Sequence, residues 1–368
     1  FNKTHPEAIV KPVNMGSYDA LVQKLMGAVN AGVPPVISQM YESWTDQFFK
    51  ANQLVPIEKF VKEDPSFKTA ELFPIFNEDN TFDSVLVTLP FNKSVPVFYY
   101  NMAMFEKEGI KEFPKTWTEF KEICKRLTKD EDKDGNPEVW ATSWTIDVWY
   151  FSTMVYQKDG RLFDEIEKTV YFDSQEGVEA LEYIVSLVKE KVLYIVPGFQ
   201  RQDEFLSGHI AMIPASIVSL AFMRDRVQFK MGVAPMPIWN NKATVIAGTN
   251  IGIFARSTSQ QQKAAWQFIK WLIKPENQIR WTQASCYLPL SKTIMDYPDM
   301  IVFLEKTEGY KEIVRELDFA RTEPKTREWF IGRNYLNEAL ESAIRGRYSA
   351  KEALDIAAEK TEKEIKRK

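Results

Sequence analysis

Two histidines and two cysteines limit the reactive chemistry open to this 368-residue chain. His5 lies near the start and His209 in a Ser-Gly-His turn, and neither has the nucleophile and acid that a relay requires. Cys124 and Cys286 occupy unrelated contexts without metal-ligand spacing and are read as unpaired. No G-x-S-x-G, phosphate-binding G-x-x-x-x-G-K-[ST], H-E-x-x-H or nicotinamide fingerprint occurs. A hydrolase working through two carboxylates stays open, but with 51 acidic residues chance pairs carry no information. The run Asp130-Glu131-Asp132-Lys133-Asp134-Gly135 matches the first half of a calcium loop. Its twelfth position is Ala141 instead of a bidentate glutamate, so a polar Asp-Gly turn is the reading. The expectation is no catalytic residue, no metal and no cofactor.

What remains is recognition chemistry, carried by polar and aromatic residues at the ends of elements. Ligands of open α/β sheets gather at the carboxyl ends of strands. Tyr18 follows a Met-Gly-Ser turn at a helix start, and Glu42 lies just past the strand Pro35–Met40. They either line a crevice or serve as a capping-region tyrosine and a solvated glutamate. Trp140, Trp144 and Trp149 form the densest aromatic cluster, and Trp144 or Trp149 is either a ligand-stacking wall or core. Ser216 ends an Ala-Met strand and is placed to donate a hydrogen bond. Gly248 either lets a backbone amide approach a ligand or marks a bulge. Tyr287 heads an extended Tyr-Leu-Pro-Leu segment. Arg333, just before a late helix over 335–344, is either a surface cation or an anion-binding fork.

The element that must organise these residues is Leu89–Ile110. A loop, Pro90–Ser94, leads into an apolar strand, Pro96–Tyr100, and then a helix over Met102–Glu108 stopped by Gly109. It reads as the first crossing between two lobes, with Ser94 at the cleft, and Thr244–Phe254 reads as a second. Ala8–Val13 is expected to be a strand, and Leu54–Ile57 with Phe60-Val61 a short connection. Thr116 and Glu119 form a capping box before a stripe of Phe120, Ile123, Cys124 and Leu127. Gln175–Lys189 is an amphipathic helix burying Val178, Leu181, Ile184, Val185 and Val188. The start is no signal peptide and resembles the tail of a helix running into a strand, so further N-terminal sequence is expected.

Composition agrees with a binding module. The length suggests about two domains, and 45% hydrophobic with 27% charged residues describes a globular protein. A net charge of −4 with mixed signs gives no basic face for nucleic acid. No apolar run approaches the ~18 residues of a membrane span. Ten Trp and fourteen Tyr suit thick cores and polyhydroxy ligands alike.

An ordered set of motifs spans nearly the whole chain: GSYDALV, QMYES, LPFNKSVPVFYYN, PKTWTEF, LSGHIAM with PASIVSL, VIAGTNIG, FIKWLIKPENQIRW with YLPLSKT, and IGRNYLNEALES. In this set the chain resembles the extracytoplasmic solute-binding proteins of ABC importers, the group that includes the maltose-binding protein, and within it the glycerol-phosphate binders. The resemblance implies an α/β, two-lobed periplasmic-binding-protein fold of type II. Its lobes would be discontinuous, 1–97 with 248–293 and 98–247 with 294–368, joined by a third crossing near Leu290–Met295. It implies a monomeric, periplasmic or otherwise extracytoplasmic receptor, not an enzyme. That receptor would bind sn-glycerol 3-phosphate, or a glycerophosphodiester, in the interlobe cleft and deliver it to membrane permease subunits by hinge closure. It also implies a missing first strand and helix. The alternatives are a receptor for a neutral sugar or oligosaccharide and, from another class, a glycosidase or phosphodiesterase. Carried over residue by residue, the family's ligand contacts fall on Tyr18, Glu42, Ser94, Trp144, Trp149, Ser216, Gly248, Tyr287 and Arg333. In that scheme Arg333, Ser216 and Gly248 receive the phosphate, Glu42 accepts from hydroxyls, and a tryptophan covers the carbon chain. Lys93 and Val95 flank Ser94 where the family has small polar residues, Ala247 replaces a glycine before Gly248, and Cys286 replaces the glycine before Tyr287.

Overall fold

Both sides of Val95 are strand. The expected loop Pro90–Ser94 belongs to the strand Leu89–Ser94, followed by Pro96–Asn101 and the helix Met102–Lys107. The correction has a non-local cause: Leu89–Ser94 pairs with Ala247–Phe254, a partner that local propensity cannot register. Asn101 caps the helix by accepting from the amides of Ala103 and Met104.

The computed structural model describes residues 1–367. The chain forms two compact units, each discontinuous. The first comprises Phe1–Lys93, Ala247–Val302 and Lys325–Arg327; the second comprises Ser94–Ile246, Phe303–Pro324 and the chain from Glu328 onward.

In the first unit, Ala247–Phe254 is the centre of a four-stranded sheet with Ile37–Met40, Leu54–Val55 and Leu89–Ser94. Ile37–Met40 runs antiparallel to it, Ile37 opposite Ile253 and Met40 opposite Asn250. The helix Tyr18–Asn30 opens with Ser17 accepting from the Ala20 amide. Its buried Leu21 and Leu25 pack with Met40, Trp44, Phe48, Leu54 and Phe254. Ala8–Val13 is irregular, not a strand. The expected connection after Leu54 is a short strand, Leu54–Val55, and a helix, Ile57–Glu63, that buries Ile57 and Phe60.

The second unit is built on a five-stranded sheet ordered Leu193–Ile195, Trp140–Trp144, Ile210–Ser216, Pro96–Asn101, Met231–Pro235. The first three run parallel, and Pro96–Asn101 is antiparallel to both its neighbours. The helix Trp117–Leu127 begins with the Thr116/Glu119 capping box and buries Phe120, Cys124 and Leu127. The helix Gln175–Lys189 has the bounds its periodicity predicts, but Leu187 is buried where Val185 and Val188 are only half-buried. The late helix spans Arg327–Ile344, so Arg333 lies within its second turn instead of before its start.

Candidate ligand-binding site

A lysine inside a strand is expected to turn its ammonium to water, yet the Lys93 side chain is 0% exposed. Burying an ammonium costs several kcal/mol unless it is paired and fully hydrogen-bonded. Here all three N–H groups find acceptors on three different elements. Nζ donates to Asp79 Oδ2 at 2.7 Å, to the Gly248 carbonyl at 3.1 Å and to Glu42 Oε1 at 3.2 Å. Asn250 Nδ2 closes the cluster, donating to Asp79 Oδ2 at 2.9 Å and to Glu42 Oε1 at 3.3 Å. Asp79 is supplied by the helix Pro74–Asn80, and Glu42 is the first residue of the helix Glu42–Lys50, the end that favours a negative charge.

The two acids differ in access. Asp79 is buried, whereas the Glu42 side chain keeps 21% of its surface and so reaches the surface of the unit. Burial raises the Glu42 pKa from 4.5 to about 7; the Asp79 charge adds to the rise and Lys93 opposes it. Burial also pulls the Lys93 pKa down, but the charges of Asp79 and Glu42 outweigh it and the net shift is upward. Lys93 therefore stays an ammonium, and Glu42 changes charge near neutrality.

The other first-unit residues meet at the same knot. Gly248 has φ +108°, and a Cβ there would lie 1.7 Å from the Asn92 carbonyl oxygen, so the glycine serves close backbone packing next to Lys93. The Leu288 amide donates to the Lys93 carbonyl at 2.8 Å, bringing Tyr287 alongside. Tyr287 is hydrogen-bonded to Tyr18, and burial raises its pKa. Its ring stacks on Trp281 at 6.3 Å, and Tyr18 meets Tyr41 edge-on at 4.9 Å. Cys286 adopts φ +58°, the left-handed conformation that glycine would take more easily. Glu42 and Gly248 thus meet at the Lys93 ammonium, and Tyr287 with its partner Tyr18 is linked to the same strand through the Leu288 amide. A separate cavity of about 710 Å³ runs along Ile37–Gln39, lined also by Tyr18, Phe91, Asn92 and Phe268, and does not include Glu42 or Gly248.

In the second unit the candidates cluster at the carboxyl ends of the parallel strands, where ligands of α/β sheets bind. Ser216 ends its strand opposite Pro96, and the Ile217 amide donates to the Val95 carbonyl at 3.1 Å, which places Ser94 at the same edge. Tyr99 OH donates to the carbonyls of Ser216 and Ile217 at 3.0 and 2.9 Å and braces that end. Trp149, in the first turn of the helix Val148–Gln157, donates through Nε1 to the Val245 carbonyl at 2.8 Å. Arg333 donates through Nε to Glu323 at 2.9 Å and approaches Asp147, the cap of that same helix, at 3.4 Å. Its fork is therefore held by two acids.

Trp144 is a correction. It is 2% exposed, its Nε1 donates to Thr142 at 2.9 Å, and rings of Phe98, Trp117, Phe120 and Tyr150 surround it. With its polar edge satisfied and its faces covered, it is core. The sequence does not single out Asp79 and Asn250, which carry no local signal, and it marks Lys93 only as a departure from the family's small polar residue beside Ser94, without its role. The Asp-Gly turn forms as expected: the Gly135 amide donates to Asp130, that of Asp134 to Asp132, and that of Asn136 to Asp134. Asp130, Asp132 and Glu138 oxygens come within 4.8 Å of one another there, and two of the three residues are exposed.

Comparison with known proteins supplies the family. Residues 1–302 match the model of the bacterial extracellular solute-binding proteins. A sn-glycerol-3-phosphate-binding periplasmic protein, UgpB of Pectobacterium atrosepticum, is 27% identical over 98% of this chain and 85% of its own length. Among solved structures, UgpB from Mycobacterium tuberculosis in complex with glycerophosphocholine superposes with a TM-score of 0.88 at 22% identity, covering 100% of this chain and 93% of that one. An ABC substrate-binding protein from Listeria monocytogenes in complex with cycloalternan superposes with a TM-score of 0.85 at 21% identity, covering 99% and 93%. No helix among the described residues is long and apolar enough to cross a membrane. The fold is that of the two-lobed solute-binding proteins, and the chain belongs to the bacterial extracellular solute-binding proteins, as the extracytoplasmic receptor through which an ABC importer collects small polar solutes for its permease.

Proposed function

We propose that the solute is sn-glycerol 3-phosphate or a glycerophosphodiester. The observation that carries this reading is the first-unit cluster, where a surface-reaching carboxylate is held by Lys93 and Asn250 as an acceptor for vicinal hydroxyls. Arg333 supplies planar donors for phosphate, with the Ser216 hydroxyl and the Gly248 amide as further donors. Ser94, Tyr18 and Tyr287 add hydroxyls, and Trp149 offers apolar cover, with a cation–π partner for a choline group. Trp144 drops out of the set for the reason given above. The names of the 27%-identical relative and of the glycerophosphocholine-bound structural neighbour support this solute class.

A second reading, a neutral oligosaccharide, is favoured by one observation: Glu323 and Asp147 already compensate the charge of Arg333. Titration calorimetry of the purified protein with sn-glycerol 3-phosphate, glycerophosphocholine and maltose separates the two. The first reading requires binding of a glycerol phosphate and its loss in Arg333→Ala. Binding of maltose with no heat from either phosphate compound overturns it.

A further inference from the structure

The ammonium of Lys93 has no hydrogen left for a ligand, because Asp79, Glu42 and Gly248 take all three. Among the described residues it is nonetheless the only cation that faces Glu42. From the helix Pro74–Asn80 comes Asp79, from the strand Leu89–Ser94 comes Lys93, and from the strand Ala247–Phe254 comes the uncharged amide of Asn250. Remove the ammonium and two carboxyls are left sharing one partly buried site, where like charges oppose double ionisation. The Gly248 carbonyl loses its donor in the same step, next to a glycine whose backbone already lies against Asn92.

We propose that Lys93 is a positioning residue for solute binding: without touching the solute, it holds the Glu42 carboxylate, in concert with Asp79 and the Gly248 carbonyl, as an acceptor for the solute's hydroxyls. This rests on the reading of Glu42 as a ligand contact. It makes Lys93 a determinant of specificity, since the cluster of one ammonium and two carboxylates carries a single negative charge when both acids are ionised. Such a cluster accepts hydrogen bonds from hydroxyls and offers the phosphate no cation of its own, which leaves that role to Arg333.

The test is calorimetry on the full chain with sn-glycerol 3-phosphate from pH 5 to 9. Lys93→Met is expected to weaken binding at pH 7 by about tenfold or more, as expected for losing a charged hydrogen-bond partner. The pH at which affinity falls on acidification is expected to rise, because the acid pair now retains a proton. Adding Asp79→Asn to Lys93→Met leaves a single carboxyl and is expected to recover most of the affinity and to bring the midpoint back down. A merely structural lysine would lower the melting temperature without moving that midpoint. Should Lys93→Met fail to fold, Asp79→Asn is compared with the double variant, and the midpoint is expected to be higher in the double. An unchanged affinity and midpoint in Lys93→Met, with binding abolished in Glu42→Gln, overturns the inference and leaves the proposed function standing. Full affinity in Glu42→Gln overturns the reading of Glu42 itself, and the inference with it.

Discussion

The ammonium of Lys93 lies 3.1 Å from the carbonyl oxygen of Gly248, joining two residues 155 positions apart in the chain. Each stands beside a passage of the chain from one unit to the other, at 93–94 and at 246–247. One buried side chain thus ties together the first-unit ends of two connections. This bond and the close backbone packing of Gly248 against Asn92 fix those two ends to each other within the first unit.

Gly248→Ala is expected to destabilise the protein by about 2 kcal/mol or more, since it combines left-handed strain with a collision. The added Cβ would fall 1.7 Å from the Asn92 carbonyl oxygen, an atom that moves only with its strand. Gly252→Ala, four residues on in the same strand, meets only the ends of the Thr88 and Met40 side chains at 3.0 and 3.2 Å and should cost distinctly less. Urea denaturation of both variants makes the comparison.

Stability should fall as pH rises from about 4.5 to 7 through Glu42. Its pKa is raised in the fold from 4.5 to about 7, so over that window the folded state binds more protons than the unfolded chain. The contribution levels off above the folded value. Glu42→Gln should flatten this part of the profile, read as melting temperature against pH. A profile unchanged by the substitution would contradict the assigned shift.

The two tryptophans separate by readout. Trp144→Ala opens a hole among Phe98, Trp117, Phe120 and Tyr150 and should cost about 3–5 kcal/mol of stability. Trp149→Phe keeps an aromatic face while deleting the donor to the Val245 carbonyl, and should cost about 1–3 kcal/mol for the acceptor left buried. If Trp149 covers the solute, this second variant also changes affinity, whereas a conservative Trp144→Phe does not.

Glu323→Gln tests the Arg333 fork. The substitution keeps an acceptor for the Trp329 indole, 3.0 Å away, and removes a charge that opposes the guanidinium. Affinity for sn-glycerol 3-phosphate should rise, most at low salt where screening is weakest. A neutral sugar would show no such salt-dependent gain.

Elements whose determinants are local could be read from the residues alone. The helix Gln175–Lys189 follows from apolar spacing, and the start at Thr116 follows from a capping box whose two hydrogen bonds lie within four residues. The Ser-Gly-His turn before the strand Ile210–Ser216 follows from the glycine at 208, whose φ of +81° suits a tight turn. Tertiary structure decided what depends on distant partners. Pro90–Ser94 is strand because Ala247–Phe254 pairs with it, and Trp144 is core because four rings from the rest of its unit close over it. The nine positions matched to family contacts could be named from sequence, but not the charge balance that governs Glu42. That balance arises where Asp79, Lys93 and Asn250 converge from three separate segments, and electrostatic energy depends on distance in space and on burial, which residue order does not encode.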